Sequence, residues 1–172
     1  MFHARRSAGL PFARRSLIAI AALGAATLGV ADQPAAAQSL SPFAGYWHGG
    51  GSLVLDTGKT EQIRCRVEVT LREEGKEAVQ AIQCASTGRD VIIRSFLTLD
   101  GPRLKGTWMD TSRGAQGTLD GRVRGATVSL TMSGPDVDAA LTATSAGAHQ
   151  DLSVSGALGP IRKISVRLKR RS

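Results

Sequence analysis

Aromatic side chains are scarce in this chain of 172 residues and make up only 4% of it. Proteins that hold single-stranded nucleic acid stack bases on aromatic rings, and outer-membrane β-barrels carry aromatic girdles at both interfaces. A chain with two tryptophans, one tyrosine and four phenylalanines fits neither class. We therefore expect no nucleic-acid partner and no membrane-spanning barrel.

The chain also lacks an apolar run long enough for a transmembrane helix, which needs about 20 residues. The main candidate, residues 17–30, is preceded by four arginines between residues 5 and 15. Residues 35–37 are all alanine, as in the small-residue site that signal peptidase cleaves. These features predict a cleaved signal peptide over residues 1–37 and a mature domain over residues 38–172. The expected location is the bacterial periplasm or the medium, reached by the Sec or the twin-arginine (Tat) route.

Acidic residues are outnumbered, and the formal net charge is +8. Removal of residues 1–37 takes away four arginines and one aspartate, so the charge of the mature domain is +5. Lysine and arginine crowd the last eleven residues. This basic end is either a solvated last strand or a surface attracted to anionic phosphates or sugars of a bacterial envelope. Candidate contacts for such a surface are Lys169, Arg170 and Arg171.

Only two cysteines are present, Cys65 and Cys84, and no Cys-x-x-Cys redox motif is formed. They lie at equal distances either side of Glu74-Gly75, so a β-hairpin centred there places them opposite each other. Two reduced cysteines in a core are the alternative, because a free thiol packs as a small hydrophobe. In an exported protein the oxidising periplasm favours a structural disulfide.

The clearest structural pattern is a strict alternation of apolar and polar residues over 62–72, typical of a half-buried strand. The following stretch alternates in the same way. A hairpin with either a two-residue turn at Glu74-Gly75 or a four-residue loop over Glu73–Lys76 has one register. It pairs Val67 with Ile82 and sends the apolar residues to a common face.

Two further hairpins are predicted in the same way, about Asp100-Gly101 and Arg124-Gly125. Each sends its apolar residues to one face. The expected partners are Leu97 with Leu104, Ile93 with Trp108, Leu119 with Leu130, and Gly121 with Val128.

The mature chain has no helical periodicity and reads as nine or ten strands separated by regular turns. Short turns favour pairing of consecutive strands, and closure removes exposed edges. The predicted fold is all-β, a single up-and-down antiparallel β-barrel of about 8–10 strands. A β-sandwich is the alternative, although no long connection is visible. Additional strands are expected at Tyr46–Leu55, Val137–Thr144, Gln150–Ser155 and Ile161–Lys169.

No catalytic or cofactor motif is recognisable, and we expect no enzyme activity and no cofactor. His48 and His149 lie near strand ends, and two histidines without a cysteine or carboxylate cluster make no metal site. Asp110, Asp90 and Glu68 read as ordinary charges on the solvent face. The predicted function is that of an exported, non-catalytic binding module for a small molecule or an envelope component.

Two local features bear on that function. Gly49-Gly50-Gly51 predicts a first strand that bends where a neighbour or a ligand approaches closely. Gln80 is the odd polar residue on an otherwise apolar face. It either hydrogen-bonds a ligand in a pocket or lies at the barrel mouth, and we favour the mouth.

The segment Phe43-Ala44-Gly45-Tyr46-Trp47 places a Gly-x-Trp on the first strand and resembles the lipocalin and avidin-like (calycin) superfamily. The resemblance implies that Trp47 plugs one barrel end and that Arg167 or Arg170 packs over it. The whole mature pattern also resembles an uncharacterised group of small secreted alphaproteobacterial proteins. Our candidate ligand or barrel-end residues are Trp47, Gln80, Trp108 and Arg167.

The order Trp47, Cys65, Cys84, Trp108 is also similar to that of bacterial metalloprotease inhibitors of the Inh type. Those are small secreted barrels with an early Gly-x-Trp and one disulfide. The resemblance implies an inhibitory N-terminal strand, here residues 38–42, that reaches into a protease. Binding of a protein partner is therefore the alternative to binding of a small molecule.

Overall fold

The computed structural model describes residues 38–171, which form one closed barrel of ten antiparallel β-strands. Each strand pairs with the next along the chain, and the last pairs back with the first. The predicted up-and-down barrel is confirmed, and the β-sandwich is excluded. The strands are Gly45–Leu55 (β1), Thr60–Arg72 (β2), Glu77–Ala85 (β3), Asp90–Asp100 (β4), Arg103–Asp110 (β5), Ala115–Arg124 (β6), Thr127–Gly134 (β7), Val137–Ala146 (β8), His149–Leu158 (β9) and Ile161–Arg170 (β10).

Alternation along each strand decides which side chains face the core. In β2 the residues Ile63, Cys65 and Val67 are buried, while Arg64 and Arg66 between them are exposed. The inward side chains of all ten strands form one core that is largely aliphatic. Removal of this apolar surface from water is the main force that closes the barrel.

The β2–β3 hairpin has the predicted register, with Val67 opposite Ile82. Its connection is the four-residue loop, in which Glu73–Gly75 forms a single 3-10 turn. Cys65 lies directly opposite Cys84, and the two are joined by a disulfide bond. The predicted cross-strand disulfide is confirmed, and such bonds are typical of proteins that fold in oxidising compartments.

The predicted registers of the β4–β5 and β6–β7 hairpins are wrong by two residues. Both hairpins turn one residue later, at Gly101-Pro102 and Gly125-Ala126, because the glycine takes the first place in the turn. That place has a positive φ, here +54° and +56°, which glycine adopts without strain. A shift of two leaves every side chain on its predicted face. The observed partners are Leu99 with Leu104, Ser95 with Trp108, Leu119 with Met132, and Gly121 with Leu130.

The glycine run in β1 lets the neighbouring strand come close, as predicted. A Cβ on Gly49 or Gly51 would overlap the main-chain carbonyl of Arg167 or Ser165 on β10. The close neighbour is therefore β10, and these glycines permit the tight coiling with which the barrel closes.

The barrel has two distinct ends. The N-terminal segment, the β2–β3 loop and Arg171 lie at one end, which we call the capped end. The loops at 56–59, 86–89 and 111–114 lie at the opposite end. Within residues 38–171, no helix is long and apolar enough to cross a membrane. The predicted signal peptide, residues 1–37, lies outside the described residues and stays a prediction.

Candidate functional site

Residues 38–44, called here the N-terminal cap, lie across one end of the barrel. Ser41–Phe43 forms a 3-10 turn with a proline, Pro42, in its first positions. Leu40 and Phe43 are buried, with exposed fractions of 2% and 6%. Side-chain hydrogen bonds hold the cap to the rest of the barrel. The Gln38 side-chain oxygen accepts from the Gly125 N–H at 2.9 Å, and the Ser145 hydroxyl donates to the Pro42 carbonyl at 2.7 Å.

Trp47 and Arg170 join the cap to the first and last strands. The Trp47 indole N–H donates to the Phe43 carbonyl at 2.9 Å, and the ring is 2% exposed. The Arg170 guanidinium lies over that ring and donates to the carbonyls of Pro42 and Ala44. Of the two arginines considered for this place, Arg170 therefore covers Trp47.

Arg167 instead lies on the outer wall, where it forms an exposed ion pair with Asp151 at 2.7 Å. The hydrogen bonds of this pair lower the pKa of Asp151 and raise that of Arg167. Lys169 and Arg171 are exposed near it, whereas Arg170 is engaged with Trp47 and the cap. The three basic residues predicted as one anionic-surface contact thus fall into two separate environments.

A small cavity of about 40 Å³ lies directly beneath the cap, inside the barrel. Its volume has room for only about two to four water molecules, since one needs roughly 10–15 Å³. Leu40 and Phe43 form its roof, and the walls come from strands around the barrel. Apart from two glutamines, the wall residues are apolar: Val67, Val69, Ala78, Leu97, Leu104, Val128, Leu130, Leu141, Ala143 and Leu152.

The two glutamines of the cavity are Gln80 on β3 and Gln150 on β9. Gln150 is only 4% exposed. Neither side-chain amide takes part in a hydrogen bond with another described residue. In the described part of the chain no polar side-chain atom is both sealed from solvent and unpaired, so both amides keep some exposure to solvent.

Gln80 thus lines a cavity close to the capped end, and its role as a ligand contact or as a residue of the barrel mouth stays a prediction. Gln150 was missed, although the same signal was present. It precedes Leu152 and Val154 at a spacing of two, which puts a polar side chain on the inner face of a strand.

Trp108 is buried in the wall and does not line this cavity. Its indole N–H donates to the Ser133 carbonyl at 3.3 Å. The ring packs against Gly117 and Gly134, where a Cβ would come within 2.9 Å of ring atoms. Its surroundings are those of a packed core residue.

The expectation that Asp110 is an ordinary solvent-face charge is wrong, because its side chain is fully buried at the opposite end. Ser112 donates to it through its backbone N–H and its hydroxyl, and Arg113 forms an ion pair with it at 2.7 Å. Burial alone raises the pKa of Asp110, but the bonds from Ser112 and Arg113 outweigh it and lower that pKa. Arg113 also donates to the Leu158 carbonyl, so this cluster links the loop after β5 to the end of β9.

His48 and His149 are both exposed on the outer surface. Within residues 38–171, no three histidine, cysteine or carboxylate side chains are grouped so as to hold a metal ion. The groups that face the interior cavity are hydrocarbons and neutral amides.

Together these features define a capped ten-stranded β-barrel with a small interior cavity. Rv2717c from M. tuberculosis is similar, with 15% sequence identity and a TM-score of 0.62 over 77% of this chain and 95% of that chain. The S-type phycobiliprotein lyase CPES from Guillardia theta is 11% identical, with a TM-score of 0.50 over 77% and 89%. At these identities the similarities show a shared fold alone. No protein-family model matches the chain, and no curated protein matches it.

Proposed function

We propose that the protein is an exported, non-catalytic binding module that holds a small, mostly apolar molecule beneath the N-terminal cap. Export rests on the signal-peptide pattern of residues 1–37 and on the disulfide, which oxidising compartments favour. The binding site is the apolar cavity at the capped end together with the space that the cap now fills.

The observation that carries the proposal is the pair of unpaired amides in an apolar cavity. Gln80 and Gln150 keep some exposure to solvent and have no hydrogen-bond partner among the described residues, so a polar group of a ligand can replace water on both amides. Ligand pockets typically combine apolar walls with a few polar groups that orient the ligand. A ligand with one or two hydrogen-bonding groups on an apolar body would bond to the two amides and pack against the apolar walls.

The cap must move for such a ligand to enter. The cavity of about 40 Å³ is far smaller than the roughly 300–1,000 Å³ of typical ligand pockets. Leu40 and Phe43 fill the mouth of the barrel, and a ligand takes their place when the cap swings outward. The cap is suited to this movement because it is a separate segment before the first strand, so its side-chain hydrogen bonds to the barrel can break while the pairing of the strands stays intact.

Binding fits the chemistry of the site better than catalysis does. Amides neither accept nor release protons near neutral pH, so Gln80 and Gln150 are suited to hold a ligand and not to act as acid or base. The ionised Asp110 lies at the opposite end, in its cluster with Ser112 and Arg113.

Two measurements test the proposal. Native mass spectrometry of protein purified from its own cells should reveal an additional mass of a small molecule. Ligand-free protein should bind an apolar naphthalene fluorophore, and Phe43→Ala should bind it several-fold more tightly because the mouth is wider. The matched control is Phe96→Ala, which removes a phenylalanine that is 50% exposed on the outer wall. A bare chain, together with no fluorophore binding by Phe43→Ala, would overturn the proposal.

The protease-inhibitor alternative has less support. It also needs residues 38–42 to leave the barrel, where Leu40 is 2% exposed, and it gives no role to the apolar cavity and its two amides. A protease-inhibition assay separates the two functions, because the binding-module proposal expects no inhibition.

A further inference from the structure

The outer wall carries a second concave region, which is lined by polar and positively charged residues, unlike the apolar cavity. Two adjoining hollows, shallow and widely open to solvent, with volumes of about 510 and 1,220 Å³, lie over the outward faces of β1, β2 and β3. They share His48, Arg66 and Gln83, so they form one groove, which we call the outer groove. The floor of the outer groove is formed by residues with little or no side chain: Gly49, Gly50, Gly51, Ala81 and Ala85.

Cations dominate the rim of the outer groove. Arg64 and Arg66 project from β2, and Arg171 lies at the capped end. Lys169 on β10 lies beside the groove and not in its lining: it is in register with His48, which is in register with Arg66 on the other side of β1. In the described part of the chain, none of these four cations forms an ion pair. Their charge is therefore available to a partner.

Acidic groups in the outer groove do not neutralise that charge. Glu68 lies opposite Tyr46, and its hydrogen bond and charge raise the pKa of that tyrosine. Asp90 lies at the far end. The remaining polar groups are neutral amides and hydroxyls, among them Gln62, Gln83 and Ser86.

We propose that the outer groove binds an acidic polysaccharide, whose carboxylate or phosphate groups pair with Arg64, Arg66, Lys169 and Arg171. Charge complementarity selects an anionic partner. The amides, the hydroxyls and Tyr46 suit the hydroxyl-rich sugar rings between the charges. This site is separate from the interior cavity, and its test does not depend on the proposed function.

The concave shape of the outer groove and the closure of the barrel argue against other anionic partners. A bilayer surface does not enter a groove, whereas an extended polymer chain does. A peptide strand has no open sheet edge to join, because β1–β3 are internal to the closed barrel. Single-stranded nucleic acid needs several aromatic rings for stacking. Among the described residues that line the groove, Tyr46 is the one exposed aromatic side chain.

A matched pair of double variants tests the site on the full mature protein. Arg64 and Arg66 are exposed and two residues apart on β2, and Arg122 and Arg124 have the same exposure and spacing on β6, across the barrel. Binding of oligogalacturonate is measured by calorimetry, with neutral maltooligosaccharide as the uncharged probe. We expect Arg64→Gln/Arg66→Gln to weaken oligogalacturonate binding at least tenfold and Arg122→Gln/Arg124→Gln to leave it unchanged. Circular dichroism checks that both variants are folded.

Three results would overturn the assignment. The first is no binding of oligogalacturonate by the unmodified protein at low salt. The second is an equal loss in both double variants, which indicates general charge attraction and no groove. The third is equal or tighter binding of polyglutamate or of a DNA oligonucleotide, which assigns the groove to another class of polymer.

Discussion

The guanidinium of Arg170 lies over the indole ring of Trp47, with its carbon 4.1 Å from the ring centroid. The same guanidinium donates to two carbonyls of the N-terminal cap, and the indole N–H donates to a third. One contact therefore connects the first strand, the last strand and the cap. The sequence pattern that resembles the calycins placed a basic residue here, and the structure shows which of two arginines it is.

Replacing Arg170 with alanine should loosen the cap. The cation–π contact and two hydrogen bonds are lost, so the free energy of unfolding should fall by about 2 kcal/mol. Amide exchange of Phe43 and Ala44, whose N–H groups bond within the cap, should become faster. The control is Arg167→Ala, three positions earlier on the same strand, which removes only an exposed ion pair worth about 0–1 kcal/mol. Equal effects of the two variants on cap exchange would contradict this role of Arg170.

Removal of the disulfide should destabilise the barrel without abolishing it. A bond that closes a loop between Cys65 and Cys84, 19 positions apart, stabilises by about 3 kcal/mol in the chain-entropy model. We expect Cys65→Ala/Cys84→Ala to unfold at correspondingly lower urea concentration, and reductant to shift the unmodified protein in the same direction. Reductant should not affect the double variant. An unchanged urea midpoint would show that the bond does not constrain the unfolded chain.

Asp110 should make stability sensitive to acid. Its pKa is lower in the folded protein than its ordinary value, so the unfolded chain takes up the proton first. The stability that the ionised Asp110 side chain adds to the folded protein is complete above the ordinary pKa of about 3.9. It is lost as the pH falls through the lower pKa that Asp110 has in the folded state.

Asp110→Asn should remove that component of the acid dependence. It should also lower the free energy of unfolding at neutral pH by roughly 2–3 kcal/mol, because the Arg113 pair is broken at a buried site. Urea titrations between pH 2.5 and pH 7 measure both effects. The control is Asp120→Asn, an exposed aspartate whose replacement should change stability by less than about 0.5 kcal/mol. An unaltered acid profile in Asp110→Asn would place the acid sensitivity elsewhere.

Gln150→Leu separates a ligand-binding amide from a structural one. Because the amide has no hydrogen-bond partner among the described residues, an apolar side chain of similar size should leave the protein equally stable or more stable by about 1 kcal/mol. Affinity for the co-purifying molecule should fall. Gln116→Leu, at an exposed position, serves as the control for the change in composition. A loss of 2 kcal/mol or more in Gln150→Leu would show that the amide supports the fold and would weaken the proposed site.

The architecture was predictable because the alternation of apolar and polar residues is strict. In β2 and β3 the pattern, the two cysteines and the position of the turn all agree, and their register was correct to the residue. In β4–β5 and β6–β7 the faces were correct but the partners were not. Local sequence placed each glycine in the turn without specifying that it occupies the first position, where φ is positive.

The cavity and the end clusters were less predictable. Gln80 stood out because a polar residue interrupted an apolar face, and Gln150 carried the same signal. Asp110 was misread as a surface charge, although it follows Leu104 and Trp108 at even spacing on the inner face of β5. Only the folded loop brings Ser112 and Arg113 onto its carboxylate.

The sequence by itself determined the all-β class, the inward faces of the strands and the opposition of Cys65 and Cys84, because these depend on period-two patterns and short turns. Tertiary structure decided what lies at the barrel ends and on its walls. Closure between β1 and β10 brings Arg170 onto Trp47, and it aligns Lys169 with His48 and Arg66. Residues more than one hundred positions apart meet there, and no local pattern encodes a contact that exists only after the barrel has closed.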